Sequence, residues 1–257
     1  RVRSDVVKGI LNGCDLETWN PKTDKLIPYN FDYKSMANKA KCKAELQKRM
    51  GLPVRPDVPL IGIVTRLADQ KGVAEIFAPN YGSIFNMCEN MDLQFAILGS
   101  GERWCEDEIN SLQSKLPNLR AYVGYDESLS HLIEAGSDFF LMPSKYEPCG
   151  LNQMYSMLYG TLPIVRRTGG LADTVDQYNE ATGDGTGFLF DNLTPGAVYD
   201  TVGWAVYAYY HKKEHIKAMQ QRGMTKDFSW DQSAYGYTDV YVEAVQRGCG
   251  KDLRQFM

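Results

Sequence analysis

Apolar residues cluster in short continuous runs at 60–65 (LIGIVT), 93–98 (LQFAIL), 121–123 (AYV), 139–142 (FFLM) and 162–165 (LPIV). Continuous apolar character, as opposed to strict alternation, suits parallel strands covered on both faces. Between these runs lie amphipathic stretches of helical length at 73–91, 105–115, 129–136 and 151–159, with a further helix over 171–178. Strand and helix alternate through short connections. The pattern predicts βαβ units and an α/β fold with a doubly wound parallel sheet.

The two ends read differently. Residues 20–32 (NPKTDKLIPYNFD) are rich in Asn, Pro and Asp and predict a loop. A charged helix follows over 35–50, ended by Gly51 and Pro53. The last 60 or so residues predict helices over 195–213 and, after a break, 233–246. There is no internal repeat and no low-complexity tract, so one compact domain with flanking helices is the simplest organisation.

Composition narrows the function. The chain has 257 residues, 44% hydrophobic and 23% charged, as an ordinary globular protein does. Lys plus Arg number 28 against 32 Asp plus Glu, a net charge of −4. That balance argues against a nucleic-acid partner held by a broad positive field. No run approaches the roughly 18 apolar residues of a membrane helix. Residues 1–5 (RVRSD) begin without Met and lack the apolar stretch of a signal peptide, which suggests a piece of a longer protein. The six cysteines (14, 42, 88, 105, 149 and 249) form no CxxC pair, and only three His are present. Free thiols in a reducing compartment and no metal site are the expectation.

Ligands of such sheets bind beyond the carboxyl ends of the strands, so the loops there matter most. Arg66 and Lys71 follow the first run, where cations can hold a phosphate or a diphosphate leaving group, or simply be solvated. Gly99 and Gly101 follow the second. They begin like a dinucleotide fingerprint, but Trp104 stands where the third Gly belongs, so an ordinary glycine turn is equally open. Tyr125 follows the third, placed either to stack on a nucleobase or to serve as a rim aromatic. After the fourth come Glu147, Cys149, Gly150 and Leu151. Here helix-start amides can hold an anion while Glu147 accepts sugar hydroxyls, or Glu147 merely complements the helix dipole. After the fifth, Arg166 and Arg167 precede Thr168, Gly169 and Gly170. Two glycine loops at neighbouring strand ends, together with Arg66 and Lys71, favour a nucleoside diphosphate with an attached sugar.

Five segments in order resemble the C-terminal domain of bacterial glycogen synthases and plant starch synthases, retaining glucosyltransferases of the two-domain GT-B architecture. They are 8–13 (KGILNG) with Trp19-Asn20-Pro21, 65–72 (TRLADQKG), 147–151 (EPCGL), 166–171 (RRTGGL) and 227–230 (DFSW). The resemblance covers nearly the whole chain. It implies a Rossmann-like donor-binding domain over 1–257, with the N-terminal acceptor-side domain outside it. It also implies transfer of glucose from ADP-glucose to the non-reducing end of an α-1,4-glucan, with no cofactor and no metal. By motif, Arg66 and Lys71 neutralise the departing diphosphate, and Gly150 and Leu151 offer amides to it. Glu147 binds sugar hydroxyls and stabilises positive character at the anomeric carbon. Tyr125 stacks on adenine, Gly99 and Gly101 let the nucleotide approach, and Cys149, Thr168, Gly169 and Gly170 line the sugar–phosphate end.

Many relatives of the wider fold carry a second Glu eight residues after the first; Tyr155 stands there, and the resembled family commonly lacks that Glu. The implied partners are ADP-glucose, the glucan and the missing domain, in bacterial cytoplasm or alternatively a plastid. A UDP-glucose enzyme and a non-catalytic nucleotide- or glucan-binding module remain as competing readings. The last helix usually crosses to the N-terminal domain, so 233–257 is expected to expose apolar surface.

Overall fold

The computed structural model describes residues 7–249. Two compact units are present. The larger spans Glu17–Lys226. The smaller joins the described residues before Glu17 to those from Asp227 on.

The larger unit is built on six parallel strands. They are β1 (Leu60–Leu67), β2 (Gln94–Gly101), β3 (Leu119–Val123), β4 (Phe139–Met142), β5 (Leu162–Arg166) and β6 (Phe188–Phe190), in the order β3-β2-β1-β4-β5-β6. The helices of this unit are α1 (Ala37–Met50), α2 (Val73–Phe77), α3 (Ile84–Asn90), α4 (Arg103–Lys115), α5 (Glu127–Gly136), α6 (Asn152–Leu158), α7 (Gly169–Thr174), α8 (Pro195–His211) and α9 (Lys213–Thr225). Each sheet face has its own core. Ile61, Ile63, Phe95, Ile97, Phe139 and Ile164 face one side, and Leu60, Ala96, Leu98 and Phe140 face the other. Alternate strand residues therefore enter opposite cores, which is why the runs are apolar throughout.

The doubly wound parallel sheet is as expected, and the differences lie at element ends. The expected helix over 73–91 is two helices, because Pro79 and Gly82 interrupt it. The helix expected over 171–178 begins at Gly169 and stops at Thr174. There Tyr178 N–H donates to Gly187 O (2.8 Å) and Gln177 bridges Gly187, so the chain turns extended. Strand β6 and helix α9 have no counterpart in the expected elements. β6 is three residues among Gly183, Gly185 and Gly187. α9 is mostly polar, and only Ile216, Met219 and Gly223 are buried.

In the smaller unit, α10 (Trp230–Cys249) starts three residues before its expected start. Cys14 N–H donates to Phe228 O at 2.7 Å, and Ser233 Oγ donates to Leu11 O at 2.7 Å. Gly13 packs so closely on the Trp230 backbone that a Cβ there would lie 2.5 Å from it. The expectations for residues 1–5, for the Cys249 thiol and for the end of the 233–257 segment lie outside the described residues. Cys42, Cys88 and Cys105 are buried free thiols. Among the described residues no helix is long and apolar enough to cross a membrane.

Candidate donor site

The chain leaves β1 toward β2 and β3, then returns on the other side of β1 as β4. Open α/β sheets bind ligands at such a switch, beyond the carboxyl ends of the strands. A cleft of about 220 Å³ lies there, lined by Arg66, Lys71, Ser144, Glu147, Gly150, Leu151 and Asn152 among others.

Arg66 lies within β1, which runs two residues further than the pattern predicts, and it pairs in register with Ser100. Its Nη2 donates to Gln70 Oε1 at 3.2 Å. Lys71 ends a 3-10 turn, Asp69–Lys71. The next residue, Gly72, has φ +69°, and a Cβ there would lie 2.2 Å from Pro143 O. Only glycine fits that conformation so close to another backbone. The loops after β1 and β4 are thereby pressed together. Lys145 N–H donates to Gln70 O (2.8 Å), Gln70 Nε2 donates to Tyr146 O (3.2 Å), and Lys145 Nζ pairs with Asp69. This stitching carries Lys71 to Glu147, with Nζ and Oε2 at 2.5 Å. Ser144 Oγ donates to the same oxygen at 3.3 Å. Glu147 is only 9% exposed, whereas Arg66 is exposed to solvent.

The two glycine loops meet each other. Gly170 N–H donates to Glu147 O (3.0 Å), and a Cβ on Gly170 would lie 2.0 Å from Cys149 O. Gly169 and Gly170 thus hold the 147–150 loop in place, and neither lines the cleft; nor do Cys149 and Thr168. Arg166 braces the same loop through Nη1 to Lys145 O (2.5 Å), and Arg167 pairs with Asp191 (2.9 Å). The two basic residues beside the second glycine loop are therefore committed to protein oxygens. Gly150 and Leu151 lead into α6, whose first amides have no intrahelical acceptor. Asn152 Nδ2 ties this helix start to Val64 O at 3.0 Å.

A second cleft, about 330 Å³, adjoins the first and shares Val64, Thr65, Arg66 and Asn152 with it. Gly99, Gly124 and Tyr125 line it, and Tyr125 is 83% exposed. Gly99 and Gly101 belong to β2 and not to a loop after it. Their bare backbones face Thr65 O and Leu67 O, and Gly101 lines neither cleft. Trp19 closes the inner side. It is stacked between His131 (centroids 3.7 Å apart) and Tyr155 (4.1 Å). Position 155 is therefore an aromatic support of the wall. His131 Nδ1 lies 2.7 Å from Asp24 Oδ2, which also accepts from the Tyr159 hydroxyl at 2.5 Å. Burial alone would raise the Asp24 pKa, but these bonds outweigh it and hold the carboxyl below its ordinary range.

Ser144, Asn152, Trp19 and Glu134 also line the clefts, and sequence reasoning missed them as site residues. Asn152 follows directly on the noted glycine loop and was within reach of that argument. Glu134 is brought in by the fold, and no local pattern marks it; Trp19 belongs to the 19–21 segment that carries the resemblance, but nothing local marks it as a cleft residue.

The fold is a Rossmann-like unit of the kind found in GT-B glycosyltransferases. Residues 46–221 match the family Glycosyl transferases group 1, and the chain belongs to that family. It is 58% identical over 247 residues to a glycogen synthase of Treponema denticola, covering 96% of this chain and 50% of that protein. It is 43% identical to soluble starch synthase 1 of Solanum tuberosum, covering 94% of this chain and 38% of that one. The catalytic domain of starch synthase IV from Arabidopsis thaliana, bound to ADP and acarbose, superposes with a TM-score of 0.84 at 36% identity, over 93% of this chain and 49% of that structure. The chain spans about half the length of the bacterial relatives it matches.

Proposed function

We propose that this chain is the donor-binding half of an ADP-glucose:α-1,4-glucan glucosyltransferase, which extends the non-reducing end with retention. The carrying observation is the Lys71–Glu147 pair at 2.5 Å in the switch-point cleft, with Arg66 at its rim. A sugar nucleotide presents a diphosphate and a ring of hydroxyls side by side. The cleft offers cations for the first and a carboxylate for the second.

Negative charge develops on the diphosphate as the glycosidic bond breaks. Lys71 and Arg66 meet that charge, and a preorganised cation in a half-buried cleft lowers the barrier more than one in water does. The amides of Gly150 and Leu151 add donors at the start of α6. Glu147 accepts hydrogen bonds from sugar hydroxyls and stabilises positive character at the anomeric carbon. Tyr125 stacks on the base. This reading assigns no step to a metal or a cofactor. The acceptor surface belongs to an N-terminal half, and the setting is bacterial cytoplasm, with a plastid as the alternative. The glycogen and starch synthase relatives support both the reaction and the setting.

The test is incorporation of labelled glucose from ADP-glucose into glycogen. The chain alone is expected to incorporate little. The chain joined to the N-terminal half of the Treponema relative is expected to elongate glycogen, and Glu147→Ala in that protein to abolish most of the rate while leaving thermal unfolding nearly unchanged. Elongation at an ordinary enzyme rate by the chain alone, or an unaffected Glu147→Ala, contradicts the proposal.

A further inference from the structure

The second cleft ends on a side chain that the donor chemistry leaves unused. Glu134 is 1% exposed, yet it lines the inner wall beside Trp19. Among the described residues its Oε2 has no hydrogen-bond partner. On α5, Glu127, Ser130 and Glu134 sit three and four residues apart, on one face, and all three line this cleft. The cation whose field reaches Glu134 is Lys39. Lys39 Nζ is itself committed to Ala135 O (3.0 Å), Tyr159 O (2.9 Å) and Thr161 Oγ1 (2.7 Å). Burial pushes the Glu134 carboxyl well above the ordinary carboxylate range, with Lys39 opposing only in part. Burial thus favours the protonated form of this carboxyl, the form that can donate a hydrogen bond. A buried polar atom without a partner is costly and calls for an explanation.

We propose that Glu134 is the base-reading residue of this site: its carboxyl group meets the edge of a purine whose ring stacks on Tyr125 at the mouth of the cleft. The inference rests on the donor reading above and adds the residue that selects the base. A carboxylic acid places a hydroxyl donor beside a carbonyl acceptor. Adenine places the N1 acceptor beside the N6 amino donor, so the two edges are complementary, as an amide side chain is to adenine. A purine's second ring reaches further inward than a pyrimidine stacked on the same Tyr. The flanking wall is rigid, because Trp19 is clamped between two rings.

The experiment is calorimetric titration of this chain with ADP and with UDP, in the wild type and in Glu134→Leu, Glu134→Gln and Lys71→Ala. The wild type is expected to bind ADP about tenfold more tightly than UDP, the order of one complementary base contact. Glu134→Leu should bring ADP affinity down to the UDP level and leave UDP unchanged. Glu134→Gln keeps a donor beside an acceptor and should retain the preference. Glu134→Leu weakening both nucleotides equally, or neither, overturns the assignment. Lys71→Ala tests the underlying reading, because it should weaken both. If it does while Glu134→Leu changes nothing, only the base assignment fails. If Lys71→Ala changes nothing, or if neither nucleotide binds, both fail.

Discussion

Lys71 Nζ and Glu147 Oε2 are 2.5 Å apart across the loops that follow β1 and β4. The cation suited to a diphosphate is thus already paired with the carboxylate suited to the sugar. A ligand that takes Lys71 must compete with Glu147. Glu147→Gln should therefore tighten ADP binding to this chain by about two- to fivefold, because a neutral amide holds Lys71 less strongly than a charged partner does. Titration of the variant checks the sign, and weaker ADP binding contradicts this competition.

The two glycine loops fix the position of Glu147. Gly170→Ala places a methyl group 2.0 Å from Cys149 O, a backbone atom and not the end of a flexible side chain. A loss of about 2–4 kcal/mol in urea unfolding is expected, of the size seen for overpacked or strained sites. Gly196→Ala, with nothing within 4 Å of the new Cβ, is the control and should stay within about 0.5 kcal/mol.

Glu134 carries a stability cost of its own. An unsatisfied buried polar atom costs about 1–3 kcal/mol, so Glu134→Leu should unfold at higher urea than the wild type by a margin of that order. A destabilised variant would mean that the carboxyl has a partner in solution.

Lys39 gives a pH signature. Burial lowers its pKa from 10.5 to about 8. Between those values the unfolded chain holds a proton that the folded protein has released, so the Lys39 contribution to stability rises with pH. Cys88 and Cys105, whose thiols burial pushes up to about 12, act in the opposite direction at higher pH. The quantity to measure is therefore the difference between wild type and Lys39→Met. It should move in favour of the wild type from pH 8 to 10.5, by up to about 3 kcal/mol. A flat difference contradicts the burial argument.

Continuous apolar runs were enough to place β1 to β5, because strands covered on both faces have no polar side to disguise them. β6 was not legible: its three residues lie in a glycine-rich stretch and are strand only because β5 pairs with them. α9 was hidden by its largely polar sequence, with few apolar positions to mark a buried face. At the site, Arg66, Lys71 and Glu147 were legible because charged residues at strand ends stand out against apolar runs. Gly169 and Gly170 were legible as special, but their close packing on the Glu147–Cys149 backbone was not, since no local pattern distinguishes it from ligand approach. Trp19 was legible as part of the 19–21 segment but not as a cleft residue, and Glu134 was not legible at all, since a carboxylate in an amphipathic helix is ordinary until the fold sets it on the cleft wall.

The most direct measurement is a crystal structure of this chain with ADP. The account predicts the diphosphate against Lys71, Arg66 and the start of α6, with the Lys71–Glu147 pair opened and the base over Tyr125. ADP bound away from this cleft, or Lys71 still closed on Glu147 beside a bound diphosphate, would contradict it.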